Sequence, residues 1–188
     1  MVTLEDLLQA FQTAWKNVGF LSREHEERRF EAGKEAIRKF FQREETSGFK
    51  PKMVEEKFSF ILDNNRISGR WDRVDELDGH VVIVDFKSSE VHQQDAANRR
   101  TKESLQLAIY AMAYASVFGS PADSVELHFL ESGLIGKTPV TDKMIMKTTE
   151  RIRKASNGIR QRDYSATPSY LSCRYCAYTD ICPSAIKT

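Results

Sequence analysis

The chain has 188 residues, of which 40% are hydrophobic and 29% are charged, and its formal net charge is +1. This composition suits one globular domain and excludes a protein that holds nucleic acid by bulk charge alone. The sequence has no apolar run long enough to span a membrane and no signal-peptide pattern, so we expect a cytoplasmic protein with no membrane partner.

Two helices are predicted at the start of the chain. Apolar residues recur at helical spacing from Leu4 to Val18, after a capping residue, Thr3, and before a stop at Gly19. A second, longer helix is predicted from Ser22 to about Glu45. His25 in this helix is predicted to face solvent or to pair with a carboxylate rather than to bind a metal.

Three strands are predicted after a break at Ser47-Gly48. Residues 53–62 alternate between apolar and polar and predict the first strand, which carries Glu55 or, as the alternative, Glu56 as an acidic residue of interest. Residues 66–77 predict the second strand. A tight turn at Asp78-Gly79 then leads into four β-branched residues, 81–84, which are typical of a strand buried on both faces.

Charged residues stand where this buried strand ends, at Asp85-Phe86-Lys87. Asp85 and Lys87 are two positions apart, so their side chains leave the same face. Asp72 lies on the preceding predicted strand, which should bring a second carboxylate to the same place. Two carboxylates suit a cation such as Mg²⁺, and a lysine beside it can orient a water or stabilise charge on a phosphate. The alternative is a solvated strand end with an ordinary Asp–Lys pair.

The next stretch, residues 88–104, is polar and lacks periodicity, which predicts a loop leading into a helix. This loop would either close over a nucleic-acid strand or be a mobile surface loop, and its His92 is predicted to be exposed. The helix predicted over residues 102–118 is strongly apolar except for Gln106 and Tyr110, which lie one turn apart on the same face.

The last predicted elements are a strand over residues 124–130 and a helix from Thr141-Asp142 to about Arg160. Two local clusters of basic residues could contact nucleic acid, and the alternative is that they are solvated helix faces. The clusters are Arg99, Arg100 and Lys102, and Arg151, Arg153, Lys154, Arg160 and Arg162.

All three cysteines lie close together near the end of the chain, at Cys173, Cys176 and Cys182. Their clustering and odd number argue against a disulfide framework. Three thiolates suit a soft metal or an iron–sulfur cluster, but both normally take a fourth ligand. The sequence leaves open reduced cysteines, a zinc site, or a cluster completed by another group.

Four motifs in this order resemble the RecB-type branch of the PD-(D/E)XK nucleases: Glu55, then GRWDRVD at 69–75, VVIVDFK at 81–87 and QLAIY at 106–110. The closing CRYCAYTDICP resembles the cysteine segment of the iron–sulfur members, such as AddB-type nucleases and the nuclease tails of UvrD-like helicases. The resemblance covers nearly the whole chain. It implies an α/β fold with a restriction-endonuclease-like mixed central sheet flanked by helices.

The resemblance also implies roles for individual residues. Asp72 and Asp85, with the carbonyl of Phe86, would bind Mg²⁺ or Mn²⁺. The catalytic set would be Asp72, Asp85, Lys87, Glu55, Gln106 and Tyr110. The three cysteines would hold a 4Fe–4S cluster or zinc, with a structural rather than a redox role.

In the iron–sulfur members, a fourth cysteine and a G-x-x-x-H histidine precede the nuclease core. Neither is present here, so we expect the chain to be a fragment of a larger protein, with DNA and a helicase as partners. The predicted organisation is one nuclease domain, 1–188, made of N-terminal helices (1–50), a core (51–165) and a cysteine tail (166–188).

The resulting hypothesis is a metal-dependent nuclease that hydrolyses DNA phosphodiester bonds in end processing, recombination or repair. One alternative is a nuclease fold that holds DNA or a helicase without cutting. The other is a structural zinc-binding scaffold protein whose only real site is the cysteine tail.

Overall fold

The computed structural model describes residues 2–186. They group into two compact units, the first ending at Thr148 and the second beginning at Thr149. Within the described residues, no helix is both long and apolar enough to cross a membrane. The three-part division predicted from the sequence stays a prediction.

The helices and strands follow each other as two helices, five strands, two helices, two strands and two helices. In chain order they are α1 (Leu4–Ala14), α2 (Arg23–Thr46), β1 (Lys50–Val54), β2 (Lys57–Leu62), β3 (Asn65–Arg70), β4 (Arg73–Leu77), β5 (His80–Lys87), α3 (Gln94–Glu103), α4 (Leu105–Phe118), β6 (Ser124–Phe129), β7 (Ile135–Pro139), α5 (Asp142–Gln161) and α6 (Tyr170–Arg174).

The first unit is built on a five-stranded sheet in the order β1-β4-β5-β6-β7. The pairing of β5 with β6 is parallel, and the other three pairings are antiparallel. Strands β2 and β3 form a separate antiparallel hairpin. A mixed sheet with helices packed on it is the predicted α/β, restriction-endonuclease-like fold, which is therefore confirmed.

Strand β5 lies in the middle of the sheet. The turn before it has positive φ at both Asp78 (50°) and Gly79 (80°), which is the backbone of a two-residue hairpin turn. Residues 81–84 are all buried. Helix α4 covers one face of the sheet with its apolar side chains, and α2 covers the other, where Phe40 packs edge-on against Phe86.

Two of the predicted strands are each broken in two. The strand expected over 53–62 is interrupted at Glu55-Glu56, where Glu55 has φ of 53°, and the strand expected over 66–77 is interrupted at Trp71-Asp72. The two breaks face each other, because the Glu55 amide donates to the Asp72 carbonyl and the Trp71 amide donates to the Glu56 carbonyl, each at 3.0 Å. The chain leaves the main sheet here to form the β2–β3 hairpin.

The prediction of a loop over residues 88–104 is wrong for most of its length, since α3 occupies Gln94–Glu103. Its buried face consists only of Ala97 and Thr101, so it has no apolar stripe that a hydropathy pattern could detect. The short strand β7 was also not predicted, and it is an edge strand that contains a glycine and a proline.

The predicted helix starts are confirmed at Thr3, Ser22 and Thr141, whose side chains accept hydrogen bonds from backbone amides of the first turn. Helix α1 ends at Ala14, four residues earlier than expected, because the backbone is already extended at Trp15.

The second unit contains the end of α5 and the short helix α6, which is capped by the Ser169 side chain. Turns follow α6 as far as the described residues extend. The aromatic side chains of the second unit are largely exposed: Tyr164, Tyr170, Tyr175 and Tyr178.

Candidate active site

The centre of the candidate site is the pair of charged residues at the end of β5. Asp85 and Lys87 lie on the same face, as strand alternation requires, and the Lys87 Nζ lies 2.6 Å from Asp85 Oδ2. The Asp85 side chain is only 1% exposed, whereas that of Lys87 is 34% exposed. The ammonium group therefore spans from a buried carboxylate toward solvent.

The carboxylate of Asp85 is poorly satisfied by the protein. Both of its oxygens are buried; Oδ2 lies 2.6 Å from the Lys87 ammonium, and no other donor among the described residues reaches either oxygen with good hydrogen-bond geometry. Burial raises the pKa of Asp85, the neighbouring Lys87 lowers it in part, and the charge of Asp72 raises it. A buried acceptor without a donor calls for an explanation such as an ion that binds there.

Asp72 is the second carboxylate of the site. It was expected on a strand, but it lies in the break between β3 and β4, one residue before the registered pair of Arg73 and Val84. Its Oδ2 accepts a hydrogen bond of 3.1 Å from the Phe86 amide, the middle residue of the Asp-Phe-Lys motif. The structure thus places Asp72 beside Asp85, as the hairpin argument predicted.

Helix α4 forms the wall of the site opposite these residues. Lys87 Nζ donates to Gln106 Oε1 at 2.9 Å, and Gln106 Nε2 donates to the Tyr110 hydroxyl at 2.8 Å. The pKa of Tyr110 is raised, mainly by burial and further by the charges of Asp72 and Asp85, whereas its bond with Gln106 lowers it. Tyr110 therefore stays protonated, and a continuous polar chain runs from Asp85 to Tyr110.

Glu55 is not part of this chain of contacts. Its backbone amide is bonded to the Asp72 carbonyl, but its carboxylate pairs with Arg70 at 3.0 Å, and both side chains are more than half exposed. Glu56, the alternative, contributes its backbone carbonyl to Trp71 and has an exposed side chain.

Trp71 is a residue of the site that the sequence reasoning did not single out. Its indole Nε1 donates to the backbone carbonyl of Tyr110 at 3.1 Å, and the ring is 1% exposed and packs on Phe58 with centroids 4.8 Å apart. Trp71 thereby ties the chain next to Asp72 to helix α4. The sequence feature that could have identified Trp71 is its position inside the GRWD motif, directly before Asp72.

The two histidines considered in the sequence analysis, His25 and His92, contact none of these side chains. His25 accepts a hydrogen bond from the Leu21 amide and packs edge-on against Phe20. His92 has a largely exposed side chain near Glu90, as predicted.

The family model of the PD-(D/E)XK nuclease superfamily matches residues 2–183, which is nearly the whole sequence. The chain belongs to the PD-(D/E)XK nuclease superfamily. No curated protein matches the sequence.

Two solved structures are similar to this PD-(D/E)XK chain. One is the crystal structure of SSO0001, at 14% identity and a TM-score of 0.47, covering 98% of this chain and 95% of that one. The other is a protein from Eubacterium rectale provisionally described as an exonuclease, at 12% identity and a TM-score of 0.47, covering 94% and 81%. Because both TM-scores are below 0.5, the family assignment rests on the sequence match.

PD-(D/E)XK nucleases typically use divalent metal ions, and the donors present here fit such an ion in part. Among residues 2–186, no group of three or more His, Cys, Asp or Glu side chains is gathered as a metal site. However, Asp72 and Asp85 lie beside each other in the structure, and the Asp85 oxygens accept no hydrogen bond of good geometry from the described residues. This arrangement suits a cation that keeps several waters.

The cysteines of this PD-(D/E)XK chain do not form a cluster in the described residues. Cys173, Cys176 and Cys182 are all free thiols, and they are not gathered as a three-ligand group. Backbone amides approach two of the sulfur atoms at 3.4 Å, from Ile186 to Cys173 and from Tyr178 to Cys176. The described residues therefore show no zinc or iron–sulfur site at these cysteines.

Proposed function

We propose that the chain is a metal-dependent nuclease that hydrolyses phosphodiester bonds in DNA. The observation that carries this proposal is the buried Asp85, which lies beside Asp72 and whose carboxylate has the Lys87 ammonium as its one close cationic partner among the described residues. A buried carboxylate in this state costs stability, so its presence in a nuclease-superfamily chain is best explained by the chemistry that it performs.

Asp72 and Asp85, with the Phe86 carbonyl, are the proposed ligands of Mg²⁺ or Mn²⁺. When bound, the cation would polarise the phosphate and lower the pKa of an attacking water. Glu55 joins these ligands in our proposal only if its carboxylate leaves Arg70, with which it is paired. The amide of Phe86 orients Asp72 by donating to Oδ2, so one backbone segment positions both carboxylates.

Lys87 and the α4 residues are proposed to act on the phosphate and the water. The Lys87 ammonium is held between Asp85 and Gln106 and is partly exposed, so it is placed to orient the nucleophile or to stabilise charge on the phosphate oxygens. Because the Tyr110 hydroxyl accepts from Gln106, its own proton is directed toward the Asp72 carboxylate, an interaction that raises the Tyr110 pKa. Gln106 thus sets the direction of both Lys87 and Tyr110.

The biological setting is proposed from the motif resemblance alone. We infer a RecB-type nuclease that works on DNA during end processing, recombination or repair, together with a helicase. Zinc or an iron–sulfur cluster at Cys173, Cys176 and Cys182 would require these cysteines to come together, with another group as the fourth ligand.

A DNA-binding module that does not cut is the second candidate. The pairing of Glu55 with Arg70 favours it, because this pairing leaves two carboxylates rather than three at the site. The two functions differ in whether the bound DNA is hydrolysed.

The test is cleavage of end-labelled DNA in Mg²⁺ or Mn²⁺ by the wild type and by Asp85→Asn and Lys87→Met. We expect each substitution to lower the rate at least about a hundredfold, because the metal and the ammonium each stabilise the transition state by several kcal/mol.

The matched control is Asp78→Asn, which removes an exposed carboxylate at the other end of β5. Asparagine tolerates the positive φ at this position, so cleavage should be unchanged. Full activity of a folded Asp85→Asn variant would refute the site. DNA binding by the wild type without cleavage in either metal would establish the module instead.

A further inference from the structure

The β2–β3 hairpin has one buried face and one exposed face. Phe58 and Phe60 point inward and are buried, so the alternate residues point outward. With their partners in register, the outward face consists of three pairs: Lys57 with Arg70, Ser59 with Ser68, and Ile61 with Arg66. All six residues are exposed. This outward face carries three cations, two hydroxyls and no carboxylate.

The charge on this face is balanced only in part by neighbouring carboxylates. Lys57 and Arg70 are directly opposite each other, and like charges in this position destabilise a strand pair. Arg70 pairs with Glu55 across an exposed surface, where an ion pair contributes little. Neither Lys57 nor Arg66 forms an ion pair within the described part of the chain. The face is therefore complementary to an extended anion.

The hairpin is attached directly to the candidate active site. Phe58 on its inner face packs edge-on against Tyr110 of α4, with centroids 5.7 Å apart. Strand β3 ends at Arg70, two residues before Asp72, and β2 begins two residues after Glu55. From Arg66 to Arg70 the strand extends about 13 Å, a length comparable to about four phosphates of one B-form strand.

We propose that the outward face of the β2–β3 hairpin is a track for the sugar–phosphate backbone of the DNA that enters the active site. Arg66 binds a phosphate at one end of this face and the opposed pair of Lys57 and Arg70 binds one at the other end, and the hydroxyls of Ser59 and Ser68 donate hydrogen bonds between them. These contacts position the strand without reading its sequence. This inference rests on the proposed function and adds the surface that delivers the substrate.

The test is a binding measurement in EDTA, where no cleavage takes place. Anisotropy of fluorescein-labelled single-stranded and duplex DNA gives Kd between 50 and 200 mM salt for the wild type and for the double variant Lys57→Ser, Arg66→Ser. We expect the variant to bind about tenfold to a hundredfold more weakly at 50 mM salt. The slope of log K against log salt should fall by about 1.4 for single strands or 1.8 for duplex.

The matched control is the double variant Lys16→Ser, Arg28→Ser, which removes the same charge from exposed positions after α1 and on α2. It should bind DNA within about twofold of the wild type with the same salt slope. Thermal melting of both double variants checks that they are folded.

Equal affinity and slope for the hairpin variant and the control would overturn the track, whether or not the wild type cuts DNA. The proposed nuclease activity fails differently. A wild type that binds DNA through the hairpin but cuts nothing in Mg²⁺ or Mn²⁺ would refute the nuclease and leave the track standing.

Discussion

At the scale of single residues, the burial of the Asp85 carboxylate suits the proposed function and lowers the stability of the fold. Its carboxylate is buried beside a second acid, and burial raises its pKa. The folded protein therefore binds the proton of Asp85 more tightly than the unfolded chain does. Ionising Asp85 costs folding free energy, and the cost develops as pH rises from the ordinary carboxyl pKa through the raised one.

This gives a prediction for Asp85→Asn that does not depend on catalysis. Asparagine has nearly the same shape and no charge, so we expect the variant to be more stable than the wild type at pH 8, with a smaller advantage at pH 4, close to the ordinary carboxyl pKa. Each kcal/mol gained should raise Tm by about 2–4 °C for a chain of this length. The measurement is thermal unfolding in EDTA at both pH values.

Asp78→Asn is the control for this prediction as well, since Asp78 is exposed in the turn before β5. It should change Tm little at either pH. An advantage of Asp85→Asn that is the same at pH 4 and pH 8 would mean that packing, and not the charge of Asp85, sets the difference.

At the scale of elements, helix α3 is held against the sheet by close approach rather than by large apolar side chains. Gly136 on β7 faces Ala97 and Thr101 of α3 so closely that a Cβ there would collide with the Ala97 carbonyl and the Thr101 hydroxyl. The Thr101 hydroxyl also bonds back to the Ala97 carbonyl at 2.9 Å. The packing thus depends on the absence of a side chain at residue 136.

We therefore expect Gly136→Ala to destabilise the protein by about 1–3 kcal/mol, because the collision is with backbone and with a buried hydroxyl that cannot move away easily. The measurement is urea unfolding followed by circular dichroism.

The control is Gly158→Ala in helix α5, where a Cβ would have open space around it. Alanine has the higher helix propensity, so this change should be neutral or stabilising by up to about 1 kcal/mol. If Gly136→Ala were equally harmless, the explanation that α3 is held by a close approach to β7 would be refuted.

At the scale of the first unit, the sheet carries charge on both faces. The catalytic candidates lie under α4, whereas Arg73 on the opposite face is buried beneath α2. Arg73 pairs with Asp75 on its own strand and with Glu44 of α2, both at 2.6 Å. Burial also lowers the pKa of the neighbouring Arg43. This ionic cluster ties α2 to the sheet.

Arg73→Met should therefore destabilise the protein by about 3–5 kcal/mol, because it leaves the buried Asp75 and the partly buried Glu44 without their partner. Urea unfolding gives the loss. The folded fraction should still cleave DNA, since Arg73 points away from the face that carries Asp85.

Lys52→Met is the matched control, because Lys52 on β1 pairs with Glu76 at a position that is far more exposed than that of Arg73. Its loss should cost no more than about 1 kcal/mol. A similarly small cost for Arg73→Met would show that the buried cluster does not hold α2 in place.

The sequence by itself determined the features that depend on neighbours along the chain. A period of two residues placed Asp85 and Lys87 on one face, and a spacing of four placed Gln106 and Tyr110 on one side of a helix. The turn at Asp78-Gly79, the buried strand after it and the helix caps follow from equally local rules. These features, with the order of the motifs, were enough to predict the fold and the PD-(D/E)XK nuclease superfamily.

Only the tertiary structure decided which distant groups meet. The breaks at Glu55 and Asp72, the bond from Trp71 to the Tyr110 carbonyl and the pair of Arg73 with Glu44 join residues far apart in sequence. Helix α3 is stable without an apolar stripe because Gly136 lets it approach the sheet. Periodicity reports which face a residue occupies, whereas these contacts depend on what packs against that face.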